Sequence, residues 1–233
     1  MNVQRIQAIF EKDMKDFMKN TMMLFTPIIP VILAVLYSRM GEATDEAMPL
    51  MIIYIVVGIT FSAVTTGAMM MLMAEENEKK TLRGLMLSPA SFMDIIIGKS
   101  LATTLLTVVS LLISLLIMGS GALLNLQAII GLFLLFFFFL FLGVGIGLFV
   151  KTVGITTAYL MPIMFVFGFT PMIDFLGFAK DSLTVRIANI LPIPQLIEMG
   201  HSRSWMPILW VGIWMLAAAI FSFICYKKVR TDE

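Results

Sequence analysis

The residues of this chain that could do chemistry are few, and the densest group of them lies between residues 75 and 100. Within it, Gly98-Lys99-Ser100 matches the end of a G-x-x-x-x-G-K-S loop, whose backbone amides and lysine bind nucleotide phosphates. The first glycine of such a loop would stand at position 93, which is Met93, and no strand pattern precedes it. We therefore expect no ATP site here. Lys99 is interpreted as a lysine that extends to the interface at the start of an apolar helix, and Gly98 as a close-packing position.

Histidine and cysteine, the other residue types with catalytic or metal-binding potential, occur once each. His201 stands beside Ser202 and Arg203, whereas Cys225 lies in the last apolar segment. A zinc site needs several such ligands, a disulfide needs two cysteines, and a nucleophile needs a neighbouring base. We predict no catalytic residue, no metal site and no directly bound cofactor, and hence no enzyme activity in this chain itself.

Composition determines which elements must position these residues. The chain has 233 residues, of which 60% are hydrophobic and 13% charged, and its mean hydropathy is +0.99. Such a composition cannot form the polar surface of a soluble domain. Because a span needs ~20 apolar residues, about six spans fit, with no room for a separate soluble domain. The prediction is an all-α polytopic membrane protein whose single transmembrane domain comprises residues 1–233.

Hydropathy predicts six transmembrane helices, at residues 21–38, 50–73, 94–118, 126–150, 153–170 and 207–226. Residues 1–19 precede them and place five apolar side chains within an arc of about 80°, with most charges opposite. These five are Val3, Ile6, Phe10, Met14 and Phe17. The pattern predicts an N-terminal amphipathic helix that lies on the membrane surface.

The segment between the fifth and sixth spans, residues 171–206, is apolar in part but interrupted by charges and by Pro192-Ile-Pro194. It predicts short re-entrant helices rather than a span, because exposed backbone polar groups are not tolerated at membrane depth. Asp174 and Glu198, with Pro192 and Pro194, form a candidate outer gate. The alternative is that the carboxylates only hold a loop at the interface.

The distribution of basic residues predicts the orientation, because cytoplasmic loops are enriched in Lys and Arg. With the N-terminus inside, twelve of the 16 Lys and Arg residues are cytoplasmic. The remaining four are Arg39, Lys180, Arg186 and Arg203. Both termini and residues 75–91 are therefore expected in the cytoplasm, and residues 171–206 outside the cell.

Residues 75–91 have the charge pattern of a short cytoplasmic helix. Glu75 with Lys79 and Glu76 with Lys80 are favourable i,i+4 pairs, and Ser88-Pro89 would end the helix. Its apolar side consists of Leu82, Leu85 and Met86. Physical reasoning alone equally allows a solvated hairpin without a partner.

The same residues resemble a known family. Glu78-Lys-Lys-Thr81-Leu82, Leu85-Met-Leu-Ser88-Pro89 and Ile95-Ile-Ile-Gly98-Lys99 are similar to the stretch that joins the second and third spans of ABC-2 type transporter permeases. The resemblance implies that residues 75–91 form a coupling helix, which seats in a groove of a separate nucleotide-binding ATPase. The residues implied for this contact are Glu75, Glu78, Lys79, Thr81, Leu82, Leu85, Met86, Ser88 and Pro89.

The resemblance further implies an exporter in a bacterial plasma membrane, built from two permease copies, in which the partner ATPase uses ATP and Mg. Membrane lipid is an expected partner of the chain, whereas nucleic acid is not. Because the spans lack ionisable residues at mid-membrane depth, we expect a hydrophobic or amphipathic cargo, with peptide toxins, bacteriocins or antibiotics favoured and lipid-linked molecules as a further option. The alternatives are an ATP-independent channel, a membrane scaffold and an ion-extruding ABC permease.

Three further patterns concern helix packing. A polar stripe in the third span is expected to face a neighbouring helix rather than a pore; it comprises Thr103, Thr104, Thr107, Ser110 and Ser114. Gly143-x-x-x-Gly147 in the fourth span would let another helix approach closely. The methionine-rich run at residues 69–73, with Met161 and Met164, would suit a surface that adapts to varied cargo, although ordinary filling of packing gaps is favoured for each single residue.

Overall fold

The structure of the protein, a computed structural model, describes residues 3–42, 48–80, 91–119, 121–123, 125–179, 181–202 and 204–231. All regular elements in these ranges are helical, as predicted. The helices are α1 (Val3–Lys19), α2 (Thr21–Phe25), α3 (Ile28–Glu42), α4 (Leu50–Glu78), α5 (Phe92–Met118), α6 (Leu126–Gly147), α7 (Val153–Gly168), α8 (Leu183–Ile190), α9 (Pro192–Ser202) and α10 (Met206–Thr231). Short 3₁₀ turns occupy Gly121–Leu123 and Thr170–Leu176.

Five of the described helical segments are long and apolar enough to cross a membrane. They are Met23–Met40, Leu50–Glu78, Met93–Met118, Leu126–Gly147 and Met206–Val229. The chain is therefore a multi-pass, all-helical membrane protein by length and composition. The predicted span at 153–170 forms the shorter helix α7, which contains Pro162 and ends in a π-helical turn, Met164–Gly168. The sixth span stays a prediction.

Helix α4 is the centre of the bundle, because its residues from Ile53 to Ala74 are all buried. The glycines of α6 lie directly against neighbouring helices. A Cβ added at Gly143 would lie 2.9 Å from the Cβ of Met69, and one at Gly147 would lie 2.8 Å from the Cβ of Met73. The G-x-x-x-G pattern thus has α4 as its partner.

The methionine run belongs to this core. Met69, Met70, Met71 and Met73 are at most 2% exposed. The burial confirms the packing interpretation for these four residues, which do not form a cargo-adapting surface. Their flexible side chains fill the gaps around α4 instead. Met161 of α7, by contrast, is exposed.

The polar stripe of α5 faces neighbouring helices, as predicted. The Thr107 hydroxyl donates to the Thr103 carbonyl at 2.9 Å, so its single proton is used and the Thr65 hydroxyl of α4, 2.9 Å away, is the donor between the two side chains. Ser110 donates to the Pro27 carbonyl oxygen at 2.7 Å, which ties α5 to the break between α2 and α3. The stripe therefore connects helices.

Two π-helical turns meet inside the bundle: Thr60–Thr66 in α4 and Met164–Gly168 at the end of α7. Near the first, the Thr60 hydroxyl donates to the Val56 carbonyl and the Ser62 hydroxyl to the Gly58 carbonyl, at 2.7 and 2.6 Å. Such back-bonding accompanies a locally widened helix. A Cβ added at Gly58 would lie 2.6 Å from the Gly168 carbonyl oxygen, so the two backbones touch.

The bundle has two distinct ends. At the α1 end, α1 packs along the first turns of α5, and α4 and α10 finish there. At the far end lie α8, α9 and both 3₁₀ turns, so the predicted short helices of residues 171–206 are present. The predicted coupling helix differs in the structure, because Glu75–Glu78 form the last turn of α4 and Lys80 has a left-handed φ of 55°. Residues 81–90 lie outside the described residues.

Candidate functional site

The most unusual arrangement of charged side chains lies at the α1 end, beside both ends of the 81–90 segment. It consists of Lys12 and Asp13 on α1, Glu76 on α4 and Lys99 on α5, which we call the charge cluster. The Lys99 Nζ lies 3.1 and 3.3 Å from the two Asp13 carboxylate oxygens and 3.2 Å from Oε1 of Glu76. Lys12 donates to the same Glu76 oxygen. The cluster joins three helices.

The core of the charge cluster is removed from solvent. The side chains of Asp13 and Glu76 are 2% exposed and that of Lys99 is 1% exposed, whereas Lys12 is 46% exposed. The cluster contains two carboxylates and two ammonium groups, so its formal net charge is zero when all four are ionised. Burial raises the pKa of Asp13, although the positive charge of Lys99 opposes this shift. Burial lowers the pKa of Lys12, but the hydrogen bond and charge of Glu76 and the charges of Asp13 and Asp16 together outweigh it, so that pKa is raised.

Close packing between α1 and α5 positions Asp13 opposite Lys99. A Cβ added at Gly98 would lie 2.7 Å from Cγ2 of Ile9 and 3.2 Å from the Ile6 carbonyl oxygen. The expectation that Gly98 is a close-packing position agrees with this geometry. Helix α5 is itself well defined at its start, because Ser91 and Asp94 form a capping box. Both partners of the ion pair are therefore held by backbone contacts.

The last turn of α4 is also attached to the turn between α6 and α7. The Asn77 amide donates to the carbonyl oxygens of Val150 and Gly147, at 2.7 and 3.3 Å. The Glu78 carboxylate accepts the backbone N–H of Val153 at 2.8 Å, at the first turn of α7. A carboxylate is favoured at such a helix N-terminus. Three consecutive residues of α4, Glu76, Asn77 and Glu78, thus bind neighbouring segments.

Only part of the predicted ATPase-coupling set falls within the described residues. Glu75 and Lys79 form the predicted i,i+4 ion pair at 2.5 Å. Glu78 is exposed and binds α7 as described. The remaining predicted residues, Thr81, Leu82, Leu85, Met86, Ser88 and Pro89, lie outside the described residues.

Two sequence interpretations are corrected by the charge cluster. Lys99 does not extend to the interface, because its side chain is buried and bound to Asp13 and Glu76. The partner predicted for Glu76 was Lys80. Helix α4 ends before Lys80, and the Glu76 carboxylate binds Lys99 and Lys12 instead. In both cases α1 supplies a charge that no pattern within the 75–100 segment predicts.

The candidate outer gate is spread over neighbouring elements at the far end. Asp174 stands on the Thr170–Leu176 turn, which contacts α9. Pro192 and Pro194 belong to the first turn of α9, where a missing N–H costs nothing, and Glu198 is exposed on the same helix. The role of Asp174 and Glu198, as an outer gate or as residues that hold a loop at the membrane interface, stays a prediction.

Asp13 is the functional candidate that sequence reasoning missed. On a helical projection it lies about 20° beyond Ile6, at the edge of the apolar arc of α1 rather than on the charged side. A carboxylate on the apolar side of an amphipathic helix is costly unless it is paired. That position is the signal which could have pointed to a buried partner.

The described residues contain no group of three or more His, Cys, Asp or Glu side chains that could hold a metal ion. The role that the charge cluster can have is mechanical, because it binds α4 and α5, the two helices that flank residues 81–90, to each other and to α1.

The class of protein that the structure defines is an all-helical, multi-pass membrane protein. In comparisons with known proteins, no family model and no curated protein matches this chain.

Proposed function

We propose that this chain is the permease subunit of an ATP-driven ABC-2 type exporter, working with a separate nucleotide-binding ATPase. The observation that carries the proposal is that α4 and α5, the helices on either side of residues 81–90, are bound to each other and to neighbouring elements. Glu76 and Asn77 on one side and Lys99 on the other are bound to α1, α5 and the α6–α7 turn. The segment with the ABC-2-like motif therefore joins two rigidly connected helices.

In this mechanism the ATPase pushes on residues 81–90, and the charge cluster prevents α4 and α5 from moving independently. A force on the segment is then transmitted to the buried centre of the bundle rather than absorbed by fraying of helix ends. The energy of ATP enters as a difference in the contact that the ATPase makes with two states of the membrane helices. The partner binds the ATP and Mg.

The orientation and assembly follow the same proposal. The α1 end faces the cytoplasm of a bacterial plasma membrane, both termini are cytoplasmic, and α7 serves as a sixth, short span. Two copies of the chain pair, each with one ATPase. The cargo is hydrophobic or amphipathic, and a peptide toxin or an antibiotic fits best, because the buried acidic and basic residues of the described spans lie near the α1 end.

The direct test is the replacement of the apolar side of the motif. Leu82→Asp or Leu85→Asp should lower the ATP hydrolysis that co-purifies with the tagged chain at least tenfold, because a carboxylate cannot be desolvated in an apolar groove. Leu82→Met is the control, since it keeps the volume and polarity. ATPase binding that is equally tight in the aspartate variants, or solute transport by the purified chain alone, would refute the proposal.

Transmission is tested separately from binding. Asn77→Ala removes the hydrogen bonds from α4 to the α6–α7 turn, each worth about 1 kcal/mol. We expect the ATPase to remain bound while ATP-driven transport in proteoliposomes falls severalfold. Gln7→Ala is the control, because the Gln7 amide only bonds Glu11 within α1, at 3.0 Å. Unchanged transport in Asn77→Ala would show that this contact does not transmit force.

A further inference from the structure

A cavity of about 490 Å³ lies at the far end, between the starts of α4 and α6 and the end of α9. Its size falls within the range of small-molecule sites, roughly 300–1,000 Å³. The lining residues are Leu50, Tyr54, Leu123, Asn125, Gln127, Ala128, Met199 and Gly200. The cavity lies inside one copy of the chain and at the end opposite to the charge cluster.

The lining combines an apolar wall with neutral hydrogen-bonding groups. Tyr54 is 1% exposed, and its hydroxyl makes no hydrogen bond within the part of the chain that the structure describes. Tyr54 lines the cavity, and a tyrosine hydroxyl can both donate a hydrogen bond to a bound group and accept one from it. Asn125 and Gln127 contribute amide side chains, and none of the described residues that line the cavity is charged.

We propose that this cavity binds the uncharged, hydroxyl-bearing headgroup of a membrane amphiphile, with Tyr54 as a hydrogen-bond partner and the apolar wall against the first part of the chain. Two observations favour a neutral headgroup over an anionic one. A charge here would be desolvated without a counter-ion from any of the eight lining residues that the structure describes. The N-terminus of α6 offers little compensation, because the Ala128 N–H already donates to the Asn125 side chain at 2.7 Å.

The position of the cavity favours a lipid over a water-soluble ligand. Leu50 and Ala128 stand in the first turns of helices long enough to span the bilayer, and such helix ends lie at the depth of lipid headgroups. Leu50 also lies against α9, since a Cβ at Gly200 would come within 2.2 Å of its Cδ2 atom. Leu50 and Gly200 thus form one wall of the cavity together, and a larger residue at position 50 should occupy part of its volume.

The experiment uses the full chain in phosphatidylcholine vesicles with a diazirine-bearing dioleoylglycerol as photoaffinity probe. We expect labelling in peptides that contain Leu50, Leu123 or Met199. Unlabelled dioleoylglycerol should compete, whereas dioleoyl phosphatidic acid, which differs by its phosphate, should compete at least tenfold less well. Equal competition by the two lipids, or labelling elsewhere only, would overturn the proposal.

Two variants test the residues themselves. Tyr54→Phe should weaken probe binding about fivefold, the value of one hydrogen bond, and Leu50→Trp should block labelling by occupying the cavity. Tyr159→Phe is the matched control, because Tyr159 is an exposed tyrosine of α7 outside the cavity. Labelling of both Tyr54→Phe and Leu50→Trp at the wild-type level would refute the site, whatever the outcome of the ATPase experiments.

Discussion

Lys99→Met is expected to lower the free energy of unfolding in detergent micelles by about 3–5 kcal/mol, the usual cost of breaking a buried ion pair. The variant removes the buried positive charge that lies between the Asp13 and Glu76 carboxylates, whereas the neighbouring Lys12 is half-exposed. Because Asp13 lies on α1, we also expect α1 to detach, which limited proteolysis of residues 1–19 would report.

The controls separate charge from packing. Lys15→Met removes an exposed lysine of α1, the helix that carries Asp13, and should change the free energy of unfolding little. The double variant Lys99→Met with Asp13→Asn removes one charge of each sign, so it should recover part of the lost stability. A Lys99→Met protein as stable as the wild type would contradict the description of the charge cluster as a closed, buried network.

Gly58→Ala is expected to lower the free energy of unfolding by about 1–3 kcal/mol, the range for overpacking a filled core. The added Cβ would lie 2.6 Å from the Gly168 carbonyl oxygen, and a backbone atom cannot rotate away as a side chain can. Helices α4 and α7 must therefore separate where their π turns meet. Chemical denaturation in micelles measures the loss.

Gly212→Ala is the matched control, because it makes the same substitution in α10, where nothing lies within 4 Å of the new Cβ. There we expect no loss, and a gain of up to about 1 kcal/mol from the lower conformational freedom of alanine. If Gly58→Ala behaved like Gly212→Ala, the close approach of α4 and α7 would be wrong.

The elements of this protein could be predicted from local pattern. The predicted spans at 50–73 and 126–150 begin where α4 and α6 begin, at Leu50 and Leu126. The amphipathic pattern of residues 1–19 predicted α1, observed at Val3–Lys19. These predictions succeed because the length and polarity of an apolar segment are properties of consecutive residues. The length of α7 was harder to predict, because Pro162 and a π turn lie within an otherwise apolar run.

What the sequence by itself determined is therefore the class of protein and the places where the apolar helices begin. The tertiary structure decided which side chains meet: Lys99 pairs with Asp13, 86 positions away, rather than extending to the interface, and the methionines of residues 69–73 pack inside the bundle. The physical reason is that hydropathy sets whether a helix enters the membrane, whereas its rotation and neighbours follow from close packing and charge pairing between distant segments.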